Sequence, residues 1–224
     1  MDIQERLSQV KESFIKEDCL LIAVSKTKPI EDLKEAYRIG IRDFGENKVQ
    51  ELQWKQPEMP EDTRWHMIGH LQRNKVKYIA PFIHLIHGVD SFKLLKEINK
   101  QGKRIERKIS VLLQIHIAEE ESKFGFDHAE LEQMFQSDEF QELSHVSIKG
   151  LMGMATFTDN KNQVRKEFKG LKSLFDKLKN ESLPDFVQME ELSMGMSGDF
   201  QIAQEEGSTM VRIGSAIFGA RSQI

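Results

Sequence analysis

Leu20-Leu21-Ile22-Ala23-Val24-Ser25-Lys26-Thr27-Lys28-Pro29 decides the fold. Five apolar residues bounded by turn-forming ones read as a short buried strand. Lys26 follows that strand, and two readings stand for it. It is either a solvated loop lysine or an amine held rigidly and partly dried. In the second case desolvation disfavours the ammonium, so the free amine becomes a nucleophile for carbonyls. Cys19, beside the strand start, reads as a small buried hydrophobe.

Outward from this stretch the same unit repeats. Apolar runs at 41–44, 65–68, 84–89, 110–117, 148–155, 188–194 and 210–214 join 20–24 as eight predicted strands. Polar, periodic segments at 31–39, 71–78, 92–103, 128–135, 164–179 and 198–206 read as helices between them, and 3–15 as a leading helix. Strict strand–helix alternation implies a parallel sheet with crossover helices. Eight units in 224 residues predict one α/β domain spanning 1–224, a (β/α)8 TIM barrel with an extra N-terminal helix. The rival, an open doubly wound sheet, usually carries a glycine-rich fingerprint after its first strand. Here Ser-Lys-Thr-Lys-Pro stands in its place. In a barrel, chemistry gathers where strands end, which puts Lys26 on the functional rim.

Composition narrows the function. Acidic residues exceed basic ones by 36 to 32, and no basic block stands out, which argues against a nucleic-acid partner. No apolar run approaches a bilayer span, and the N-terminus lacks a signal-peptide core. A single cysteine suits the reducing cytoplasm.

The C-terminal third carries the second signal. Glu191-Leu192-Ser193-Met194-Gly195-Met196-Ser197-Gly198-Asp199-Phe200 reads as a strand running into a helix, with Ser197 as its N-cap. Met210-Val211-Arg212-Ile213-Gly214-Ser215 reads as the last strand and a turn of small residues. Loops after strands seven and eight commonly hold phosphate in such barrels. Ser197 with the N–H groups of Gly214 and Ser215 could cradle one. Either glycine turn alone needs no ligand. Arg212 lies within an apolar strand, where arginine requires a partner. That partner is either a barrel carboxylate, Glu190 or Glu191, or an acceptor on a ligand. A lysine amine, a phosphate cradle and an inward arginine together match an aldehyde, a phosphate and a ring acceptor, the groups of pyridoxal 5′-phosphate.

At this point a resemblance becomes specific. Ala23-Val24-Ser25-Lys26-Thr27-Lys28-Pro29, Phe44-Gly45-Glu46-Asn47, Trp65-His66-Met67-Ile68-Gly69-His70-Leu71-Gln72-Arg73-Asn74-Lys75, Gly150-Leu151-Met152-Gly153-Met154-Ala155, Leu192-Ser193-Met194-Gly195-Met196-Ser197 and Val211-Arg212-Ile213-Gly214-Ser215-Ala216-Ile217-Phe218-Gly219 together resemble the pyridoxal phosphate homeostasis protein family. That family is in turn similar to the N-terminal barrel domain of alanine racemase. The resemblance implies that Lys26 forms the cofactor aldimine and that Arg212 faces the pyridine nitrogen. It implies that Asn47 lies near the ring or its hydroxyl, that Ser197, Gly214 and Ser215 take the phosphate, and that Met154 and Met194 line the pocket. Ser193 competes with Ser197 for the phosphate. Where Ser215 stands the family often has threonine, and serine keeps the same hydroxyl and N–H.

The expected role is cofactor holding and release, with no catalytic residue and no metal. Arginine always carries its proton, so the ring nitrogen stays unprotonated and the electron sink is weak. In alanine racemase a second base is a tyrosine from an added β domain, which these 224 residues do not include. Tyr37 and Tyr78 both fall on predicted outer helices. The alternatives are a racemase-like enzyme and a cofactor-free Schiff-base aldolase acting through Lys26. Expected partners are the cofactor itself, then cofactor-dependent apoenzymes or amino and keto acids, with the protein a monomer. His66 and His70 have helix-type metal spacing, but Gly69 puts a strand end between them, so both read as non-ligands. Lys28 either lowers the Lys26 pKa by like-charge repulsion or, as the following Pro29 suggests, already turns outward. Lys123, after strand five, is either a surface lysine or a second amine on the rim.

Overall fold

The computed structural model describes residues 2–119 and 124–219. Eight strands follow one another around a closed barrel: β1 (Leu20–Val24), β2 (Asp43–Glu46), β3 (Arg64–Met67), β4 (Leu85–Val89), β5 (Ile109–Gln114), β6 (Val146–Met152), β7 (Val187–Met196) and β8 (Met210–Ile213). Every pairing is parallel, and β8 closes on β1 with Leu20 opposite Met210 and Ala23 opposite Ile213. The helices are α1 (Ile3–Glu12), α2 (Ile30–Arg38), α3 (Val49–Lys55), α4 (Val76–Ile79), α5 (Phe92–Arg104), α6 (His128–Phe135), α7 (Asp138–Gln141), α8 (Lys161–Lys179), α9 (Phe200–Glu205) and α10 (Ser215–Phe218). This is the (β/α)8 barrel with a leading helix that the alternating pattern predicts.

Local chemistry starts these helices. Asp2, Ser91, Asp127 and Asn160 each accept a backbone N–H of the first turn, and Asp127 forms a capping box with Glu130. In α8 the stripe Val164, Phe168, Leu171, Phe175, Leu178 faces the barrel at helical spacing.

Two apolar clusters define the layers. The larger unites strand residues such as Ala23, Phe44, Trp65, Leu113 and Val211 with helix residues such as Leu33, Leu52, Leu94 and Phe168. The smaller joins Ile22, Leu85, Leu112, Met152 and Met210, from five strands and no helix, so it fills the barrel interior.

Several elements depart from expectation. The predicted helix at 71–78 is a 3-10 turn over Arg73–Lys75 followed by the single turn of α4. The strand predicted to reach residue 117 ends at Gln114, because Ile115 bends away to bridge Phe126. The segment after β2, given no element from sequence, forms α3, and α7 and α10 are likewise new.

Candidate functional site

Lys26 is half-buried in the turn that leaves β1 at the C-terminal rim. The next residue, Thr27, has φ 63, a left-handed conformation costly for a β-branched side chain. The turn is therefore held from several sides. Ser25 N–H donates to Gly45 O at 3.0 Å, and Ser25 Oγ to Glu46 Oε1 at 2.6 Å. Thr27 N–H donates to Glu51 Oε2 at 2.7 Å. Beneath them Lys55, with its side chain at 0% exposure, spends three donors on Ser25 O, Glu46 Oε1 and Glu51 Oε2 at 2.8, 2.7 and 2.8 Å. Lys28 ties the same turn to the chain end, donating through Nζ to Phe218 O at 2.9 Å and Gly219 O at 3.2 Å. The Lys26 backbone is thus fixed on both flanks.

Beside β1 lies the end of β8. A Cβ on Gly214 would stand 2.9 Å from Val24 O, so only glycine lets the two chains approach this closely. Gly214 N–H points to Ser197 Oγ at 3.4 Å, and Ser215 Oγ donates to Ser197 Oγ at 3.3 Å. The N–H groups of Ser215 and Ala216 open α10 and have no acceptor among the described residues. Hydroxyls and N–H groups from three predicted residues, Ser197, Gly214 and Ser215, thus converge into a neutral, donor-rich cradle suited to an anion. Ser197 is not the helix cap expected from sequence. It sits in a turn closed by Asp199 N–H to Met196 O at 3.1 Å and Met196 N–H to Asp199 Oδ1 at 2.6 Å, and α9 starts at Phe200.

Arg212 is 3% exposed inside the barrel. Its partner is neither Glu190 nor Glu191. Glu190 pairs with Lys149 and Glu191 accepts from Thr209 Oγ1. Instead Nη1 donates to Ser193 Oγ at 2.6 Å and Nη2 to Gly153 O at 3.1 Å. No described residue accepts from Nε. Burial drags the guanidinium down to about 10, so it remains a cation at neutral pH.

Asn47 follows β2, half-buried, and its backbone packs on Gly69, where a Cβ would come within 2.6 Å of Asn47 O. Met154 is 39% exposed on the rim after β6. Met194 does not line a pocket. It is fully buried in the outer apolar layer, as Leu192 is, because side chains alternate along β7 and Ser193 between them faces the interior. The register shift between Ser193 and Met196 follows it, and Met196 is 37% exposed. His66 and His70 diverge: His66 is fully buried, and His70 pairs with Asp90 at 2.9 Å. Lys123 lies outside the described residues.

The family model of the alanine racemase N-terminal domain matches residues 2–222. A pyridoxal phosphate homeostasis protein of Pasteurella multocida is 41% identical over 227 residues, covering 98% of this chain and 93% of that protein. One from Aquifex aeolicus is 39% identical and covers 99% of each chain. The chain belongs to the pyridoxal phosphate homeostasis protein family. A solved protein of similar shape, PipY of Synechococcus elongatus PCC7942 with pyridoxal phosphate bound, superposes with a TM-score of 0.87 at 33% identity over 97% of this chain and 100% of that one. An alanine racemase of Clostridium difficile 630 shares the fold, with a TM-score of 0.75 at 16% identity, and this chain spans 56% of it.

For this member of the pyridoxal phosphate homeostasis protein family, the structure separates Ser193 from Ser197. Ser193 is fully buried between Arg212 and His87, away from the cradle that Ser197 shares with Gly214 and Ser215. Sequence reasoning missed Lys55, Glu46 and Glu51, the support beneath Lys26. It also missed Asp43 and the links His66 and His87 make. A charged residue inside a helical or strand segment was the signal available, but its partners are distant in the chain.

Proposed function

We propose that this protein is a one-domain, monomeric binder of pyridoxal 5′-phosphate that attaches the cofactor through the Lys26 amine, acts in cytoplasmic vitamin B6 homeostasis, and does not turn over substrates. What supports this reading is that the adjoining strands β1, β7 and β8 carry three different donor sets at or near their C-terminal ends. The Ser197, Gly214 and Ser215 donors suit a phosphate. The Nε–H of Arg212, left over from two fixed Nη contacts, suits a pyridine nitrogen. The Lys26 amine suits an aldehyde. Asn47 after β2 and Met154 after β6 belong to the same C-terminal rim, and every group comes from one barrel.

When bound, pyridoxal phosphate supplies an aldehyde that amines exchange on and a ring that withdraws electrons when protonated. Arg212 donates permanently, so it would hold the ring nitrogen as an acceptor and keep the withdrawal weak. Both tyrosines serve elsewhere. Tyr37 on α2 donates to Asp62 at 2.5 Å beneath Arg42, and Tyr78 on α4 is exposed beside Lys75 and Lys77. Amino acids, keto acids and apoenzymes are the partners that would take the cofactor up.

Freshly purified protein tests the reading. It is expected to be yellow, to bleach when an amino acid draws off the cofactor, and to leave L-alanine optically unchanged. Sustained racemisation would make it an enzyme. A colourless protein that borohydride traps only with a keto-sugar would make it an aldolase.

A further inference from the structure

Arg212 is a buried cation with no carboxylate within ion-pair distance among the described residues. What it has is a path. Nη1 donates to Ser193 Oγ at 2.6 Å, and Ser193 Oγ lies 2.9 Å from His87 Nδ1. His87 Nε2 lies 3.0 Å from His66 Nδ1, and His66 Nε2 lies 3.0 Å from Asp43 Oδ1. Ser193, His87 and His66 have zero exposure, and Asp43 has 3%. The residues come from β8, β7, β4, β3 and β2. Because β7 and β4 are not neighbours, the Ser193–His87 link crosses the barrel interior. The path ends at the N-terminal face, where Arg64 grips Asp43 through Nε at 2.7 Å and Nη2 at 2.5 Å.

The two ends fix the direction of every hydrogen bond between them. Arginine only donates, and an ionised carboxylate only accepts. Asp43 is held ionised, at about 2, by the contacts of Arg64 and His66 against the pull of burial. His66 therefore carries its proton on Nε2, and its bare Nδ1 accepts from His87 Nε2–H. His87 Nδ1 accepts the Ser193 hydroxyl, whose oxygen accepts from Arg212. The reverse order would leave the Ser193 hydroxyl proton buried with no acceptor among the described residues, since His87 and Arg212 are its contacts there. In the forward order each neutral group points its hydrogen toward Asp43 and its lone pair toward Arg212, so aligned dipoles stabilise both end charges.

We propose that Ser193, His87, His66 and Asp43 are positioning residues acting through Arg212: a one-way hydrogen-bond chain through the barrel that fixes the guanidinium and leaves its Nε–H for a ring nitrogen. The part concerning the ring nitrogen rests on the cofactor reading above; the direction of the chain does not. Asp43, His66 and His84 also offer ligand atoms within 4.8 Å of one another, a spacing a metal could use. In this chain, however, His66 Nε2 bears hydrogen and both Asp43 oxygens are taken by Arg64.

Nitrogen-15 NMR of the histidine rings in the protein free of cofactor tests the direction. The expected result is Nε2–H with bare Nδ1 for both His66 and His87, unchanged when zinc chloride is added. A proton on His66 Nδ1, with or without zinc, would overturn the proposal. Asp43→Asn, whose amide can donate or accept, is expected to mix the tautomers of both histidines. It should also shift the visible band of bound pyridoxal phosphate and weaken its binding by about tenfold. Ser193→Ala should abolish the spectral response to Asp43→Asn. A wild type that binds the cofactor while both variants leave band and affinity unchanged would refute the positioning role. A wild type with the expected tautomers that binds no cofactor would refute the cofactor reading and leave the chain's direction standing.

Discussion

Lys55 and Glu46 show how single residues hold the Lys26 turn. Lys55 is a fully buried cation whose three contacts are all charged or carbonyl oxygens, and Glu46 Oε2 beside it has no hydrogen-bond partner. Removing one member of a buried ionic group costs about 3–5 kcal/mol, because the remaining charge stays dry and unpaired. Lys55→Met should therefore lower stability by about that amount in urea unfolding. Burial pushes the Glu46 carboxyl from 4.5 up to about 7, with Lys55 pulling the other way. The folded state thus holds this proton more tightly than the unfolded chain. Its contribution to stability is complete below pH 4.5 and is lost as pH rises through about 7. The urea midpoint of the wild type is expected to carry this downward slope, and Glu46→Gln, which cannot ionise, should lack it. An unchanged slope in the variant would remove Glu46 as its source.

At the scale of elements, β7 decides which side chains face the interior and which the outer layer. Gly195 has φ +94, and a Cβ there would stand 2.5 Å from the Ala203 Cβ and 3.0 Å from Phe200 Cα. Gly195→Ala should strain the bulge and push α9 off the sheet. We expect a loss of about 1–3 kcal/mol together with weaker cofactor binding, since Ser197 lies two residues on. Calorimetry with and without pyridoxal phosphate would read both effects. The same strand shows where sequence reading stops. The eight strands, the rim position of Lys26 and the meeting of Ser197, Gly214 and Ser215 were legible, because strand length, turn chemistry and element order are local signals. The facing of Met194 was not, because strand alternation turns it outward only once the neighbouring Ser193 is seen to face the barrel interior. Nor was α3. Its seven residues carry too little periodicity, and its last one, Lys55, reads as solvated until Ser25, thirty positions back, is seen to be its partner.

Across the whole molecule, the two faces of the barrel divide the work. The C-terminal rim carries the Lys26 turn and the donors of Ser197, Gly214 and Ser215, while the N-terminal face ends the buried chain in the Asp43–Arg64 pair. Among the described residues no helix is long and apolar enough to cross a membrane. The central claim is that one lysine on this rim bonds the cofactor. Borohydride reduction of the freshly purified protein, followed by peptide mapping, tests it most directly. The pyridoxyl group is expected on the peptide carrying Lys26 and absent from the Lys26→Ala protein. A label on another lysine in the wild type, or equal labelling of the Lys26→Ala protein, would contradict the account.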